Sequence, residues 1–311
     1  MRIMFMGTPE ISATCLERLI NDGHNVIACI TREDKPRGRG NVMTPTPVKL
    51  LAEQHGIPVH TPKTLRDDGF MHLLDSYAPD LIAVVAYGKI LPEGVINYPK
   101  HGCINVHVSL LPKYRGAAPM QRAIMEGERE TGITIMYMNI GLDTGDIITQ
   151  ESFPITEKDD FETVHDRSAE MGARMLSEVI IRMEQGSVTR TPQDDSLATY
   201  AAKIEKEDCK IDFSLDSRTV SCRIRGVTPI PGAFAYLNGK MLKICGVRAV
   251  ENGGGRPGEV IDTDAVGDGS FTVSCDTGAI VVTSVKPEGK GIMTAGDFIR
   301  GRKIAKGDML S

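Results

Sequence analysis

The chain contains no tryptophan, and phenylalanine and tyrosine bring the aromatic share to only 5%. Any core must therefore be built mainly from aliphatic and methionine side chains. No apolar run is longer than the seven residues from Leu81 to Tyr87, far below the roughly 20 that a membrane-spanning helix needs. The amino end shows no secretory pattern, because Met1 to Met6 is a short apolar stretch that runs straight into a turn. A soluble, cytoplasmic protein with no membrane partner is expected. Cysteine occurs seven times, an odd number with no C-x-x-C pair, so neither a disulfide framework nor a zinc ribbon is expected. Reduced, mostly buried thiols are the reading that remains. The sequence also lacks internal repeats, low-complexity tracts and a Walker motif.

What is present points to about two domains, since 311 residues exceed the usual size of one. In the first half, strand and helix signals alternate. Arg2 to Met6 reads as a strand, and Thr8-Pro9 offers an N-cap followed by a proline at the first helical position. Ile11, Cys15, Leu16, Leu19 and Ile20 follow at helical spacing, with Gly23 closing the helix. Val26 to Ile30 is another apolar run, and a second helix is expected from Thr46-Pro47 to Gly56. Leu81 to Ala86 and Cys103 to Val108 are buried-strand candidates, and Thr131 to Met138 with Ile147 to Ile155 reads as a strand pair. A long helix is expected over 159–185, with a break near Gly172. Apolar strands separated by helices imply a mostly parallel sheet covered on both faces. The fold class expected is α/β, a Rossmann-like mostly parallel sheet with a smaller C-terminal β-barrel of the OB type.

The second half carries the barrel signal. Ala233 to Leu237 and Lys240 to Val250 flank Asn238-Gly239, a strong hairpin signal. Further short strands are expected at 259–262, 271–275 and 279–285. The expected division is an α/β domain at 1–186, a polar linker at 187–204 and the β-rich domain at 205–311. Charge divides along the same line: residues 1–199 carry 20 Lys+Arg against 27 Asp+Glu, and residues 200–311 carry 16 against 14.

Candidate chemistry gathers in a few segments. The first βα turn, Gly7-Thr8-Pro9-Glu10, lacks the G-x-G-x-x-G that lets a pyrophosphate approach, which weighs against a dinucleotide oxidoreductase. Asn105 and His107 stand two apart on an apolar strand and so share a face. Two polar side chains there are either paired with each other or used, because burying them unsatisfied is costly. Residues 141–146, Gly-Leu-Asp-Thr-Gly-Asp, form a turn with two carboxylates, and spacing does not choose between Asp143 and Asp146. The stretch 34–43 is basic and rich in glycine and proline, a long connection of the kind that is often functional. His101 and His107 are six apart on one strand run, but they lack the cysteine or acidic company a metal would need, so no metal is expected.

Together these residues are recognisable. Asn105-Val106-His107-Val108-Ser109-Leu110-Leu111-Pro112, continued by Lys113-Tyr114-Arg115-Gly116-Ala117-Ala118-Pro119, resembles the N-x-H-x-S-L-L-P…R-G-A-A-P signature of folate-dependent formyltransferases. Gly141 to Gly145 resembles the acidic G-x-D-T-G loop of the same family. The Pro36-to-Gly40 loop, Thr199 to Ile204 and the β-rich domain resemble the members that act on tRNA. One departure is visible: Thr228-Pro229-Ile230-Pro231-Gly232 has no aromatic residue between its prolines.

The resemblance implies transfer of a formyl group from the co-substrate 10-formyltetrahydrofolate to the amino group of methionine esterified to initiator tRNA. It implies Asn105, His107 and Asp143 as the catalytic residues. Asn105 is suited to steady a developing oxyanion, and His107 to polarise that oxygen or move a proton. Asp143 is suited to orient the histidine or take the amine proton. Folate contacts are implied at Ser109, Leu110, Leu111 and Pro112, and at Tyr87, Gly88, Ile90 and Leu91. Contacts to tRNA are expected from Lys35, Arg37 and Arg39, and from Arg300, Arg302 and Lys303, in a monomeric protein. The rival readings are a sugar-nucleotide or glycinamide ribonucleotide formyltransferase, a formyltetrahydrofolate hydrolase, and a tRNA-binding module without activity.

Overall fold

Short apolar runs separated by helices can satisfy their backbone only by pairing side by side, and their two apolar faces only by being covered. The computed structural model describes the chain except Gly38, Arg39, Asn41 and residues 265–268, and for Arg37 the backbone alone. It contains two compact units, one of residues 1–116, 132–153 and 165–200, the other of 117–131, 154–164 and 201–311.

In chain order the first half runs β1 (Ile3–Gly7), α1 (Glu10–Asn21), β2 (Val26–Ile30), β3 (Lys35–Arg37), β4 (Val42–Thr44), α2 (Pro47–Gln54), β5 (Val59–His60) and α3 (Asp68–Tyr77). Then come β6 (Leu81–Val85), α4 (Glu93–Ile96), β7 (Cys103–His107), β8 (Arg115–Gly116), α5 (Pro119–Met125), β9 (Glu130–Tyr137), β10 (Ile147–Pro154), α6 (Phe161–Glu184) and β11 (Tyr200–Ala201). Among the described residues the main sheet has the order β10-β9-β7-β6-β1-β2-β5. The pairs β5-β2-β1-β6-β7 are parallel, and β9 runs antiparallel to β7. The chain leaves β1 toward one edge and later returns to its other side with β6, which puts the crevice of a doubly wound sheet at the carboxyl ends of β1, β6 and β7.

Two local expectations change. Thr8 does not cap α1: Pro9 occupies the N-cap position with no side-chain bond. The Thr8 hydroxyl instead donates to the Tyr87 carbonyl at 3.0 Å, and Ser12 Oγ donates to the Val85 carbonyl at 2.6 Å. The turn after β1 is thus tied to the end of β6, where a dinucleotide-binding fold would leave space for a pyrophosphate. The helix α6 runs unbroken through Gly172, where a Cβ would stand 3.0 Å from Val106 Cγ1 on β7. The glycine there serves close helix-to-sheet packing. The basic stretch also has structure of its own, since β3 and β4 pair as a small antiparallel hairpin.

The second unit adds α7 (Ser217–Gly226), β12 (Phe234–Leu237), β13 (Lys240–Val250), β14 (Val260–Asp264), β15 (Ser270–Ser274), β16 (Ala279–Pro287), β17 (Met293–Thr294) and α8 (Ala295–Arg300). Its sheet has the order β12-β13-β16-β15-β14, with β17 on β16, and every pair is antiparallel. Asn238 and Gly239 both take positive φ (50° and 74°), as a two-residue hairpin turn of type I′ requires. The two open edges, β12 and β14, are bridged by the last residues of the chain. Ser311 exchanges two backbone bonds with Tyr236, Leu310 N–H donates to the Gly258 carbonyl, and Val260 exchanges bonds with Gly307 and Asp308. This segment, which carries no strand pattern in the sequence, closes the barrel. Phe271, Val273, Val282 and Leu310 are among its buried residues.

Beside the barrel, α7 is capped by Asp216, whose carboxylate accepts from Thr219 N–H at 2.9 Å, and packs on α5: a Cβ on Gly226 would meet Met125 Cγ at 2.5 Å. Arg122 of α5 binds Asp208 through two bonds of 2.9 and 2.8 Å. Six of the seven thiols are buried and all are free; burial pushes those of Cys15, Cys29, Cys103 and Cys275 up to about 12, which keeps them protonated. Among the described residues no helix is long and apolar enough to cross a membrane.

Two stability measurements follow. Leu310→Ala removes a buried side chain from the closing segment and should destabilise the protein by roughly 2–5 kcal/mol in urea melts followed by circular dichroism; an unchanged midpoint would mean that the segment does not close the barrel. The hydrogen bonds from Arg122 hold the Asp208 carboxyl below its usual range. A lowered folded-state value contributes stability above the unfolded value, about 3.9, and that contribution is lost as pH falls further. Asp208→Asn should therefore lower Tm most above about pH 5, and the gap should shrink in acid.

Candidate active site

The parallel pairing of β6 with β7 brings Tyr87–Leu91 and Ser109–Pro112 to the same end of the sheet. His107 is the last residue of β7 and is buried. Its Nε2 lies 3.0 Å from the Tyr114 carbonyl. A carbonyl can only accept, so Nε2 carries the hydrogen and donates. Nδ1 then faces Asp143 Oδ2 at 3.6 Å. Asp143 Oδ2 also accepts from the Gly116 backbone N–H at 2.8 Å. A proton placed on Nδ1 would thus lie between the imidazole and a carboxylate that is already anchored.

Asn105 is half-buried on the same strand, two residues before His107. Among the described residues its carboxamide makes no hydrogen bond. The Asn–His pairing left open by the sequence is therefore not formed, and the amide is available to an incoming oxygen.

The loop after β7 owes its shape to its neighbours. Thr134 Oγ1 donates to the Ser109 carbonyl at 2.6 Å and accepts from Leu111 N–H at 3.1 Å, while Gln150 Nε2 donates to the Leu111 carbonyl at 2.7 Å. Ser109 Oγ is committed to the Lys113 carbonyl. The acidic loop is built just as locally. Asn139 Oδ1 accepts from Gly141 N–H and from Thr144 Oγ1, and any Cβ on Gly145 would stand 1.7 Å from the Tyr137 carbonyl oxygen. That contact is the physical reason for glycine at the end of the motif. Tyr137 pairs with Ile104, three residues before His107, so the loop must run back along β7 for Asp143 to reach the ring. Asp143, rather than Asp146, is the carboxylate that faces His107.

The other expected residues fall into distinct environments. The side chains of Tyr87, Leu91 and Leu111 are buried in the core, and burial pushes the Tyr87 phenol up to about 12. Ile90 is exposed, as are Ile140 and Leu142 on the acidic loop, which leaves apolar surface on these loops. Lys35 is exposed, whereas Lys49 is paired with Asp34 at 2.8 Å. Arg39 and the Arg37 side chain lie outside the described residues. In the second unit Arg300 is paired with Asp297 at 2.6 Å, and Arg302 and Lys303 are exposed. His101 sits in the turn before β7, where its N–H donates to the Asp80 carbonyl, so it does not share a strand face with His107. Among the described residues no cluster of His, Cys, Asp and Glu could hold a metal.

Residues 1–180 match the family model of formyl transferases, and residues 203–303 match the C-terminal domain of formyl transferases. The chain belongs to the formyl transferase family. Within it, curated methionyl-tRNA formyltransferases match from end to end; that of Geotalea uraniireducens (strain Rf4) is 47% identical over 310 residues, covering 100% of this chain and 98% of the relative. The fold is shared more widely. An N-formyltransferase from Helicobacter canadensis, solved with folinic acid and dTDP-3-aminofucose, is 19% identical with a TM-score of 0.67, over 90% of this chain and 97% of that one. HypX from Aquifex aeolicus in complex with tetrahydrofolic acid is 20% identical with a TM-score of 0.67, over 100% of this chain and 50% of its own.

The carbonyl of Tyr114 makes a prediction about the ring. In histidine-labelled protein, long-range ¹⁵N–¹H correlations should show neutral His107 with its hydrogen on Nε2; a hydrogen found on Nδ1 instead would contradict the geometry.

Proposed function

We propose that this chain transfers the formyl group of 10-formyltetrahydrofolate to the α-amino group of methionine esterified to initiator tRNA, the reaction that prepares the initiator for translation. The observation that carries the choice of substrate is the end-to-end match, through both units, to methionyl-tRNA formyltransferases. Sugar-nucleotide and glycinamide ribonucleotide formyltransferases share the fold at low identity, which supports the chemistry without favouring their substrates.

The site fits the co-substrate: an unpartnered amide stands two residues from a buried imidazole, and the bordering loops expose Ile90, Ile140 and Leu142. Tyr87, Gly88, Ile90 and Leu91 with Ser109 to Pro112 would hold the folate, the buried members through their backbone. When bound, 10-formyltetrahydrofolate supplies the formyl carbon. Asn105 donates an N–H to the carbonyl oxygen as negative charge develops there, and such a donor is typically worth ~10²–10³ in rate. His107 receives at Nδ1 the proton that the amine must lose as its nitrogen bonds to carbon. It returns that proton to the folate nitrogen as the old carbon–nitrogen bond breaks. Asp143 Oδ2 faces Nδ1 throughout and offsets the positive charge on the ring. The proton balance closes without a metal in this scheme.

For an acidic chain, tRNA binding rests on local positive charge within a Debye length, about 8 Å at physiological salt. Lys35, Arg37 and Arg39 would meet the acceptor end, while Arg300, Arg302 and Lys303 would grip phosphates. The division that goes with this reading is catalysis at 1–186, a connecting segment at 187–204 and tRNA binding at 205–311, in a cytoplasmic monomer.

Asn105→Ala, His107→Ala and Asp143→Asn should each lower kcat by ~10² or more while the KM for folate stays within a few-fold, and Asp146→Asn should be milder. The assay offers 10-formyltetrahydrofolate with Met-tRNA, glycinamide ribonucleotide or an amino-sugar nucleotide. Formylation of a small substrate but not of Met-tRNA would overturn the proposal.

A further inference from the structure

The polar segment after α6 contains a side chain whose hydrogen-bonding capacity is used in full. Gln193 Oε1 accepts from Arg115 Nε at 3.1 Å and from Arg115 Nη2 at 2.7 Å. Gln193 Nε2 donates to the backbone carbonyls of Asp143 and Gly145, both at 2.8 Å. The orientation of the amide follows from its partners, because a guanidinium only donates and a carbonyl only accepts. Both carbonyls belong to the acidic loop, and they flank the link from Asp143 to Gly145.

Asp143 needs such support. Its φ of 53° lies in the left-handed region, which a non-glycine residue enters only when its surroundings hold it there. Its Oδ2 must also stay against Gly116 N–H and His107. Arg115, in turn, has a side chain only 2% exposed and would be poorly placed without acceptors. Its second acceptor is Asp195, bound at 2.7 Å and 79% exposed at the rim. The same segment reaches the loop that fixes His107: Thr199 Oγ1 accepts from Tyr114 N–H at 2.8 Å, and the Thr199 carbonyl accepts from Arg115 N–H at 2.9 Å.

We propose that Gln193 is a positioning residue for formyl transfer, clamping the carbonyls of Asp143 and Gly145 so that Asp143 Oδ2 is held against Gly116 and His107. This rests on the reaction proposed above and adds a residue that touches neither substrate nor the reacting atoms. Replacing the amide frees both carbonyls and leaves the carboxylate to wander. The loss therefore falls on turnover, through the proton at His107 Nδ1, rather than on folate binding.

The full-length chain carries the test. Gln193→Met keeps side-chain length and removes all four bonds. Gln193→Glu keeps the acceptor toward Arg115 but sets a carboxylate oxygen against two carbonyls, which gives a second variant should the first fold poorly. Asp195→Asn is the control, since it alters only the exposed partner of Arg115. Both Gln193 variants should lower kcat for Met-tRNA at least tenfold with the KM for 10-formyltetrahydrofolate within threefold, and Asp195→Asn should stay within twofold. Because Gln193 acts through Asp143, the double variant Gln193→Met/Asp143→Asn should be within twofold of Asp143→Asn alone. In histidine-labelled protein the Nδ1 resonance of His107 should move in both Gln193 variants and not in Asp195→Asn. Turnover within twofold of the unsubstituted chain, losses that multiply in the double variant, or an unmoved His107 resonance would each overturn the proposal. An unsubstituted chain that formylates no Met-tRNA would end the functional reading instead; the resonance of His107 would then decide the clamp by itself.

Discussion

A buried imidazole at the end of a strand imposes a requirement on everything around it: both ring nitrogens need an environment, and they point in different directions. At His107 the requirement is met by a backbone carbonyl on one side and a carboxylate on the other. Leaving the N–H without its acceptor would cost roughly 1–3 kcal/mol. The carbonyl comes from Tyr114, only seven residues on, so the chain after β7 has to turn back sharply. That turn explains the hydroxyl of Thr134 bound to Ser109 and Leu111, the amide of Gln150 on the Leu111 carbonyl, and the left-handed Tyr114 with φ 59°. The S-L-L-P-K-Y-R-G stretch is the shape that a histidine on β7 demands, with an orphaned polar atom as the penalty for departing from it.

The strand was legible because its chemistry broke its own pattern. A short apolar run made β7 visible, and Asn105 and His107 stood out as two polar residues on one face of it. The acidic loop was harder to read. Asp143 and Asp146 have equal standing in a Gly/Asp turn, and only the antiparallel pairing of β9 with β7, which makes the loop run back along the strand, decides which reaches the ring. Thr8 was misleading for a similar reason. Ser, Thr and Pro before an apolar helix usually mark a cap, yet here the hydroxyl finds a carbonyl at the end of β6. Gln193 gave no signal. Its surroundings have the composition of a connector, while its partners are separated from it by 50 and 78 positions in the chain, beyond the reach of local pattern.

The second unit shows the same limit in a different element. The Asn238-Gly239 turn and the strands on either side were visible because turn chemistry and alternation agree there. The segment that closes the barrel was not, because its contribution is made by backbone groups, which every residue possesses. The polar helix α7 was hidden by its serines and arginines; its start is set by the single carboxylate of Asp216, and its inner face is recognisable only against α5. Side-chain patterns announce what is buried, whereas backbone pairing between irregular segments leaves no mark on composition.

Charge follows this logic as well. The basic stretch at 31–49 and the terminal stretch at 286–306 look strongly positive when their residues are simply counted. Several of those charges are already engaged, Lys49 by Asp34 and Arg300 by Asp297. Each such pair sets a carboxylate against the cation and so weakens the local positive field that a phosphate would meet. What remains available among the described residues is a smaller set, including Lys35, Arg302 and Lys303, all exposed. Each lysine or arginine that neutralises a phosphate adds about 0.7–0.9 to the salt slope of binding. The affinity of such a chain for a polyanion is then governed by the few cations without an acidic neighbour, and net charge and total basic content are both poor guides to it.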